Sequence, residues 1–277
     1  MKFLLPFETA AHSVRDKLFA HLLSYEWFRK VSLLTTKEDI LLVTKQFEDH
    51  QLTFSPHETI GRDLFRKGHY QRDLASWVLE QIGKAAGKTL LEVGANIGTH
   101  SVYLMLSGKF ERAICIEPDP RNFRLLKHNL ELNGFSSAAT LFECAAGDRD
   151  GSIDLYFGDD NFGGSTVIKP IENSRSVNVR LRRIDAIMAE AGATPDDIGL
   201  VWMDIEGSEP QALRSMPEVL RRGVPILMEY SPPRYGPAKT KELAGYLSGL
   251  YRRCYVFGEG ETDIRSVTQG RDVLLLP

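Results

Sequence analysis

The sequence has few cysteines, no long apolar run and no repeat. Its 277 residues include only three cysteines, Cys115, Cys144 and Cys254, which are scattered along the chain. This odd number argues against a disulfide framework or a cysteine-rich metal site and favours buried free thiols, so we expect a cytoplasmic protein. No stretch approaches the roughly 18 apolar residues of a membrane span. The start, Met1–Phe7, resembles a signal peptide, but Pro6 interrupts the apolar core.

The sequence also lacks an excess of positive charge. There are 34 Lys and Arg residues against 37 Asp and Glu residues, which gives a formal net charge of −3 at pH 7. A nucleic-acid-binding surface needs a basic stripe, so we expect no nucleic-acid partner. The composition is 43% hydrophobic and 26% charged, which is typical of a globular protein with one large domain.

Strands and helices alternate from residue 89 onward. The predicted strands are mostly continuous apolar runs: 89–93, 112–117, 140–145, 199–205 and 224–229. Such strands are typical of a parallel sheet that helices cover on both faces. Three short strand-like segments, 152–157, 166–169 and 177–181, predict an antiparallel excursion. Two last strands are predicted at 253–257 and 272–276.

The residues before this pattern predict a small N-terminal extension. Apolar residues from Leu18 to Phe28 recur at spacings of three and four, which is typical of a helix. The segments 40–44 and 52–54 flank a polar turn and predict a short hairpin. We expect a helical and hairpin extension at residues 1–56 and a main domain at residues 57–277. The extension could cap this domain or contribute to a homodimer.

The turn after strand 89–93 carries the first sign of a ligand. Gly94 and Gly98 lie four residues apart and are followed by the apolar spacing of a helix. A strand, a tight turn and a helix bring backbone N–H groups up to a ligand. The dinucleotide fingerprint has glycine where this chain has Asn96. The turn therefore predicts a nucleotide-like ligand without a pyrophosphate, although a plain strand-to-helix turn would look similar.

The next two strand ends offer further ligand-binding groups. Glu117 ends the second strand, where a carboxylate can accept two hydrogen bonds from a ribose diol. Because Pro118 follows, the acid could instead cap the next helix. Cys144, Ala145 and Asp148 lie at the end of the third strand, beside the same crevice. This position suits an adenine ring.

Three carboxylates are predicted at the carboxyl edge of the fourth and fifth strands. Asp204 and Glu206 lie two residues apart and point to one face if the strand continues, and Glu229 ends the next strand. Open α/β sheets bind ligands at this edge. The functional interpretations are a carboxylate base or a divalent-metal site. The alternative is that Arg234, Arg214 or helix N-termini neutralise the three acids.

Histidine offers a second kind of base. His100 lies at the start of the helix after the glycine turn and could face the ligand. His57 and His69 are further candidates. A hydrogen-bonded structural histidine is the common alternative for each of them.

These segments together resemble a known family. Leu91–Gly98 is similar to the first motif of S-adenosylmethionine-dependent methyltransferases of the FkbM type. The segment Asp204–Glu209, Asp-Ile-Glu-Gly-Ser-Glu, makes the resemblance specific. Further segments match in order: Gly61–Tyr70, Glu117-Pro118 with Asn129 and Asn133-Gly134, Ala146–Gly151, and Glu229. The resemblance covers roughly residues 57–235.

The resemblance implies a Rossmann-like class I methyltransferase sheet of seven strands, mostly parallel, with an antiparallel last strand and helices on both faces. It also implies S-adenosylmethionine as cofactor and methyl transfer to a hydroxyl of a sugar, glycan or polyketide-type natural product. The cofactor contacts would be Glu92, Gly94, Ala95, Asn96, Gly98, Glu117, Pro118, Cys144, Ala145, Asp148 and Asp204. The family often has Lys where this chain has Trp202, and an aromatic wall could take its place.

A sugar hydroxyl is a weak nucleophile, so methyl transfer needs positioning and removal of a proton. Asp204 or Glu206 is the first candidate base, beside Glu229 on the same rim, and His100 is the second. A divalent metal on the carboxylates could instead lower the hydroxyl pKa. The loop Asn161–Ser165 could close over the acceptor.

Two other functions remain open. One is an NAD-dependent oxidoreductase on a similar sheet, which Asn96 disfavours. The other is a non-catalytic module that binds S-adenosylmethionine, which the three rim carboxylates disfavour weakly.

Overall fold

The computed structural model describes residues 17–18, 21–22, 25–35, 41–83, 87–157, 164–168 and 175–277. The apolar start at residues 1–7 and most of the loop at 161–165 lie outside these residues. The helix predicted near the N-terminus is described mainly at Glu26–Thr35. The sequence also predicts a helix over residues 73–85, and the last two of these residues lie outside the described ones.

The chain forms short helices and strands that follow the predicted alternation. The described helices are α1 (Glu26–Thr35), α2 (Thr59–Arg66), α3 (Arg72–Gln81), α4 (Thr99–Leu106), α5 (Pro120–Leu132), α6 (Ile184–Glu190), α7 (Glu209–Arg214), α8 (Pro217–Arg221), α9 (Pro232–Tyr235) and α10 (Pro237–Ser248). The described strands are β1 (Val43–Gln46), β2 (Gln51–Phe54), β3 (Thr89–Val93), β4 (Arg112–Ile116), β5 (Ala139–Phe142), β6 (Ala145–Ala146), β7 (Gly151–Tyr156), β8 (Ser176–Arg182), β9 (Ile198–Met203), β10 (Ile226–Tyr230), β11 (Arg253–Val256), β12 (Gly260–Thr262) and β13 (Arg271–Leu276). Short 3₁₀ turns lie at Pro195–Asp197 and Ile264–Ser266.

The central sheet has the order β12-β11-β13-β10-β9-β3-β4-β5. Strands β10, β9, β3, β4 and β5 pair in parallel, and β13 lies antiparallel between β10 and β11. The predicted α/β class, the mostly parallel sheet and the antiparallel last strand are therefore confirmed. The expected number of seven strands is wrong, because β12 adds an eighth at the edge. Strand β12 has only three residues, one of which is Gly260, so the sequence shows no apolar alternation that would predict it.

The parallel strands are buried on both faces. Every residue of β3 and of β9 is buried, as continuous apolar runs predict. Alternate residues of β3 point to opposite faces, so Leu91 and Val93 join one core and Leu90 joins the other. Glu92 is also buried, on the same face as Leu90. Packing in these two cores holds the strands in place, and it therefore also fixes where the loops after the strands leave the sheet.

The predicted N-terminal hairpin is confirmed as β1 and β2, and it is tied to the main sheet. The buried Asn129 of α5 accepts a hydrogen bond from the Thr53 N–H at 2.7 Å and donates to the Thr53 carbonyl at 3.1 Å. Its amide also donates to the Ile97 carbonyl at 2.7 Å. One side chain thus joins the hairpin, α5 and the glycine turn. The predicted boundary at residues 56 and 57 stays a prediction.

The predicted antiparallel excursion is confirmed as a separate small sheet with the order β6-β8-β7. Strands β7 and β8 are antiparallel, whereas Ala145–Ala146 pairs in parallel with β8. The third main strand therefore ends at Phe142. The strand predicted at 166–169 is reduced to one bridge, between Thr166 and Tyr156.

The sequence predicts one helix over residues 209–221, whereas the structure has two, α7 and α8. Pro217 begins the second of these, and a proline has no backbone N–H with which to continue the preceding helix. Within the residues described, the helices are too short or too polar to cross a membrane.

Candidate active site

A cleft of about 530 Å³ opens beyond the carboxyl ends of β3, β4 and β9. The predicted site residues that line it are Gly94, Asn96, Glu117, Pro118, Cys144, Ala145, Asp204 and Glu206. They come from distant parts of the chain, and the sheet order alone brings them together.

Gly94 allows the glycine turn to pass against the end of β9. Its φ is +86°, and a Cβ atom built there would lie 1.9 Å from the carbonyl oxygen of Asp204. The Gly94 N–H donates to the Ile116 carbonyl at 2.9 Å, and the Asp204 N–H donates to the Val93 carbonyl at 3.0 Å. Only glycine fits this close approach. The turn therefore joins three neighbouring strand ends beneath the cleft.

Gly98 has a packing function. It precedes α4 with a φ of +84°, and an added Cβ would lie 2.9 Å from Leu126 Cδ1 of α5. Gly98 does not line the cleft. The structure thus corrects its assignment to the ligand, because its missing side chain lets α4 approach α5.

Glu117 is fixed at both of its carboxylate oxygens and lines the cleft. Oε2 accepts a hydrogen bond from the Asn96 N–H at 2.7 Å, and Oε1 accepts one from the Asp119 N–H at 2.8 Å. Burial raises the pKa of Glu117 to about 8. A carboxylate has about four acceptor positions, so it retains some for a ligand diol. Diol donors would also favour its ionised form.

The three predicted rim carboxylates converge. One oxygen each of Asp204, Glu206 and Glu229 lies within 4.8 Å of the others. Arg234 Nη1 contacts the Glu206 carboxylate and lies 3.5 Å from Glu229 Oε2. The predicted neutralisation by Arg234 is therefore observed for two of the three acids. Arg214 instead pairs with Glu242 at 2.8 Å.

Asp204 differs from the two other carboxylates. Burial, followed by the negative charges of Glu229 and Glu206, raises the pKa of Asp204 well above its usual value. In the part of the chain that the structure describes, no ion pair is formed by Asp204. It is therefore the rim carboxyl group that most readily takes up a proton.

The loop after β9 holds Glu206 in an unusual backbone conformation. The φ of Glu206 is +55°, which a side-chain-bearing residue seldom adopts, and Gly207 follows at +102°. The buried Glu209 stabilises this loop, because its Oε1 accepts from the N–H groups of Ile205 at 3.0 Å and Gly207 at 3.3 Å. The last acid of the Asp-Ile-Glu-Gly-Ser-Glu segment thus shapes the loop, and Glu206 meets Arg234 as a result.

Asp272 is a further rim acid that the sequence analysis missed. It lies on β13 directly opposite Glu229 on β10, and burial raises its pKa. The sequence offered one sign, an acid at the start of an otherwise apolar last strand. Asp272 lies beside Glu229 because β13 inserts next to β10. No local sequence pattern predicts this insertion.

His100 does not line this cleft and does not have the properties of a base. Its ring centroid lies 4.4 Å from that of Trp202 and 5.9 Å from that of Tyr70. Burial lowers the pKa of His100 to about 3, so the imidazole is neutral and weakly basic. The structure corrects its assignment as second candidate base. Trp202 is 2% exposed and supports this ring from below, so it is not the expected aromatic wall.

Three further predicted contacts lie away from the cleft. Glu92 is fully buried, accepts a hydrogen bond from the Ser101 hydroxyl of α4 and has its pKa raised to about 8 by burial. Strand alternation points it away from the cleft, which corrects its assignment. Asp148 faces Arg149 at 3.3 Å and lines neither this cleft nor its neighbour, so that assignment is corrected too. Ala95 lines the neighbouring cavity.

The described part of the predicted closing loop lies over the cleft. Ser165 and Val167 line it, and the Thr166 hydroxyl donates to the Glu206 carbonyl at 3.1 Å. Residues 164–168 therefore connect the small sheet to the rim loop.

Comparison with known proteins identifies a family. The family described as Methyltransferase FkbM domain matches residues 92–254. The chain is similar to "2-O-methyltransferase NoeI" of Sinorhizobium fredii, at 30% identity over 51% of this chain and 63% of the relative. It is also similar to "Methyltransferase sdnD" of Sordaria araneosa, at 25% identity over 47% of this chain and 60% of the relative.

The solved structures include a methyltransferase FkbM from Methylobacillus flagellatus. It has 21% sequence identity and a TM-score of 0.45, over 69% of this chain and 44% of that chain. The matches to the curated relatives span less than two thirds of those relatives' length.

Proposed function

Because the chain belongs to the methyltransferase FkbM family, we propose that it is an S-adenosylmethionine-dependent O-methyltransferase acting on a hydroxyl of a sugar, glycan or polyketide-type natural product. The observation that carries the proposal is the buried Glu117, which two backbone N–H groups hold at the wall of a cleft floored by Gly94. A hydroxyl acceptor is supported by the printed activity of one relative, a 2-O-methyltransferase.

We propose a place in the cleft for each part of the donor. Cys144, Ala145 and Ala146 offer a shallow wall of small side chains for an adenine ring, and Glu117 lies where a ribose diol would donate. The methionine end would lie against Gly94 and the turn that follows. When bound, S-adenosylmethionine supplies an electrophilic methyl group on a positively charged sulfur. The rim carboxylates suit that positive charge.

Asp204 is the residue that we propose as the general base. Glu206 and Glu229 share the Arg234 guanidinium, whereas Asp204 forms no ion pair in the described chain. Burial and the neighbouring carboxylates raise the pKa of Asp204, so it binds a proton more strongly than an ordinary aspartate does, as a general base should. It also lines the cleft, where an acceptor hydroxyl would approach the methyl group.

A divalent metal on Asp204, Glu206 and Glu229 is the other way to activate the hydroxyl. Three carboxylate oxygens form a donor set that suits magnesium or calcium. Arg234, however, already supplies a positive charge to two of the three acids. We therefore propose that the protein's own residues carry out proton removal without a metal.

The proposal is tested by incubating the protein with methyl-labelled S-adenosylmethionine and a panel of glycans, free sugars and polyketides. We expect label on a hydroxyl oxygen of at least one acceptor, with a rate that changes less than twofold after chelator treatment. The same panel without enzyme is the control. Loss of transfer with chelator, restored by magnesium, would overturn the metal-independent mechanism. Donor binding without transfer to any acceptor would favour a binding module.

A further inference from the structure

Two asparagines near the end of α5 belong to the segments that resemble the family, and neither of them lines the cleft. Asn129 is fully buried within α5, whereas Asn133 directly follows the helix and is half-buried. Because they lie four residues apart, their side chains project from the same side of the helix. A buried side-chain amide is costly unless it is hydrogen-bonded, so its partners indicate its role.

Both asparagines bind the hairpin in the same way. Asn133 Oδ1 accepts a hydrogen bond from the Gln51 N–H at 3.0 Å, and its Nδ2 donates to the Gln51 carbonyl at 2.7 Å. Asn129 forms the same pair of hydrogen bonds with Thr53, two residues further along β2. The two amides therefore pair with the backbone of β2 as a neighbouring strand would.

Of the two asparagines, Asn129 also binds the glycine turn, residues 94–98. Its second amide N–H donates to the Ile97 carbonyl at 2.7 Å, whereas the second amide N–H of Asn133 donates to the Asn129 carbonyl at 2.7 Å. A side-chain amide has two N–H donors, so Asn129 uses both. Exchanging its nitrogen and oxygen would place the oxygen against two carbonyl groups, so this network fixes the orientation of the amide.

The glycine turn has a backbone that needs such support. Three of its five residues have a positive φ: Gly94 at +86°, Asn96 at +52° and Gly98 at +84°. Asn96 carries a side chain, so its left-handed conformation costs free energy and persists only where the surroundings fix it. The Asn96 N–H donates to Glu117, which fixes the turn from the end of β4. Asn129 fixes the turn from α5, through the carbonyl of the residue after Asn96.

We propose that Asn129 is a positioning residue for the donor, that it acts through the glycine turn, and that the hairpin β1–β2 orients it. The inference rests on the proposed function, in which this turn binds the donor. Asn129 itself lines neither the cleft nor the neighbouring cavity, whereas Gly94 and Asn96 line both. The Thr53 N–H binds the oxygen of the amide and thereby directs one amide hydrogen toward Ile97.

A consequence is that the hairpin contributes to donor affinity from a distance. Strands β1 and β2 span residues 43–54, which precede the residues 92–254 that the family model matches. The residues of the hairpin line neither cavity. They supply the backbone groups that orient Asn129, and Asn129 supplies the hydrogen bond to the turn. The N-terminal extension is therefore coupled to donor binding through one side chain.

Alanine substitution of the two asparagines separates support of the turn from support of the hairpin. In the full chain, Asn129→Ala and Asn133→Ala each lose one pair of hydrogen bonds to β2, and Asn129→Ala also loses the hydrogen bond to Ile97. We expect the midpoint of thermal unfolding to fall in both variants. The Kd for S-adenosylhomocysteine should rise about tenfold in Asn129→Ala, as for the loss of one buried hydrogen bond, and less than about twofold in Asn133→Ala.

Hydrogen exchange measures the turn itself, with no ligand present. The N–H groups of Asn96, Ile97 and Gly98 are all hydrogen-bonded in the wild-type protein. In Asn129→Ala they should exchange about tenfold faster or more, because the turn opens locally more often. In Asn133→Ala, exchange should increase at Gln51 and keep its wild-type rate in the turn.

Asn129→Asp is a second variant that nearly keeps the size of the side chain and the acceptor for the Thr53 N–H, but its carboxylate donates no hydrogen bond. We expect the same selective loss of S-adenosylhomocysteine affinity, and this variant decides the question if Asn129→Ala does not fold. Unchanged affinity in a folded Asn129 variant, or an equal loss in the Asn129 and Asn133 variants, overturns the inference and leaves the proposed function standing. If the wild-type protein binds no S-adenosylhomocysteine, the proposed function fails, and hydrogen exchange still shows whether Asn129 supports the turn.

Discussion

Asp204→Asn is expected to lower the kcat of methyl transfer by about 10²–10⁴-fold, the range for loss of a general base. The amide has nearly the same shape but cannot accept the hydroxyl proton. Thermal unfolding should show a folded protein, because removing the negative charge of Asp204 relieves its repulsion by Glu206 and Glu229. Donor affinity, measured with S-adenosylhomocysteine, should change much less than kcat.

The pH dependence of the rate supplies a second readout of the same role. A base acts when it is deprotonated, and the pKa of Asp204 is raised, so the wild-type rate should fall as pH drops through that raised value. Asp204→Asn should lack this acidic limb. Asp148→Asn is the control, since Asp148 lies outside both cavities, and it should keep the wild-type profile. Wild-type activity in Asp204→Asn would eliminate the carboxylate base.

Gly94→Ala should weaken S-adenosylhomocysteine binding about 100-fold or more, which corresponds to about 3 kcal/mol of binding free energy. The new Cβ would lie 1.9 Å from the Asp204 carbonyl oxygen, so the glycine turn and β9 must move apart. That movement displaces the floor of the cleft and the base together. Thermal unfolding and calorimetry on the same sample measure the effects on stability and on binding.

Gly108→Ala isolates the steric part of this effect. Gly108 has a similar φ of +69°, but nothing lies within 4 Å of an added Cβ. It should therefore cost only the roughly 1–2 kcal/mol of placing a side-chain-bearing residue in the left-handed region, with unchanged ligand affinity. Equal effects of the two substitutions on binding would contradict the close approach at Gly94.

Much of the fold could be predicted because its central strands are buried on both faces. The run Thr89–Val93 and the run Ile198–Met203 are continuous, and such runs leave little ambiguity about strand position. The edge strand β12 could not be predicted, because its three residues are a glycine and two polar residues, which carry no apolar signal. The break between α7 and α8 was readable in principle from Pro217.

The candidate site was predictable where a strand end fixes a side chain, and less so elsewhere. Glu117 and Asp204 each end a parallel strand, so topology brings them to one edge. Glu92 lies one residue before the end of its strand, so strand alternation directs its side chain away from that edge and toward α4. There it accepts a hydrogen bond from the Ser101 hydroxyl. The environment of His100 required knowing that Trp202 packs beneath its ring. Sequence spacing does not encode that tertiary contact.

Tertiary structure also decides which of the rim carboxylates are neutralised by an arginine. The sequence indicated three carboxylates and offered Arg234 as one of several partners. Only the fold shows that Arg234 reaches Glu206 and Glu229. It also adds Asp272 from a strand that inserts beside β10. These contacts distinguish Asp204 from its neighbours.

The most direct test of the central claim is a calorimetric comparison of S-adenosylhomocysteine and NAD⁺ on the wild-type protein. We expect one S-adenosylhomocysteine to bind per chain and NAD⁺ to give no binding heat, because Asn96 stands where a dinucleotide turn has glycine. Binding of NAD⁺ without binding of S-adenosylhomocysteine would contradict the assignment of the cleft.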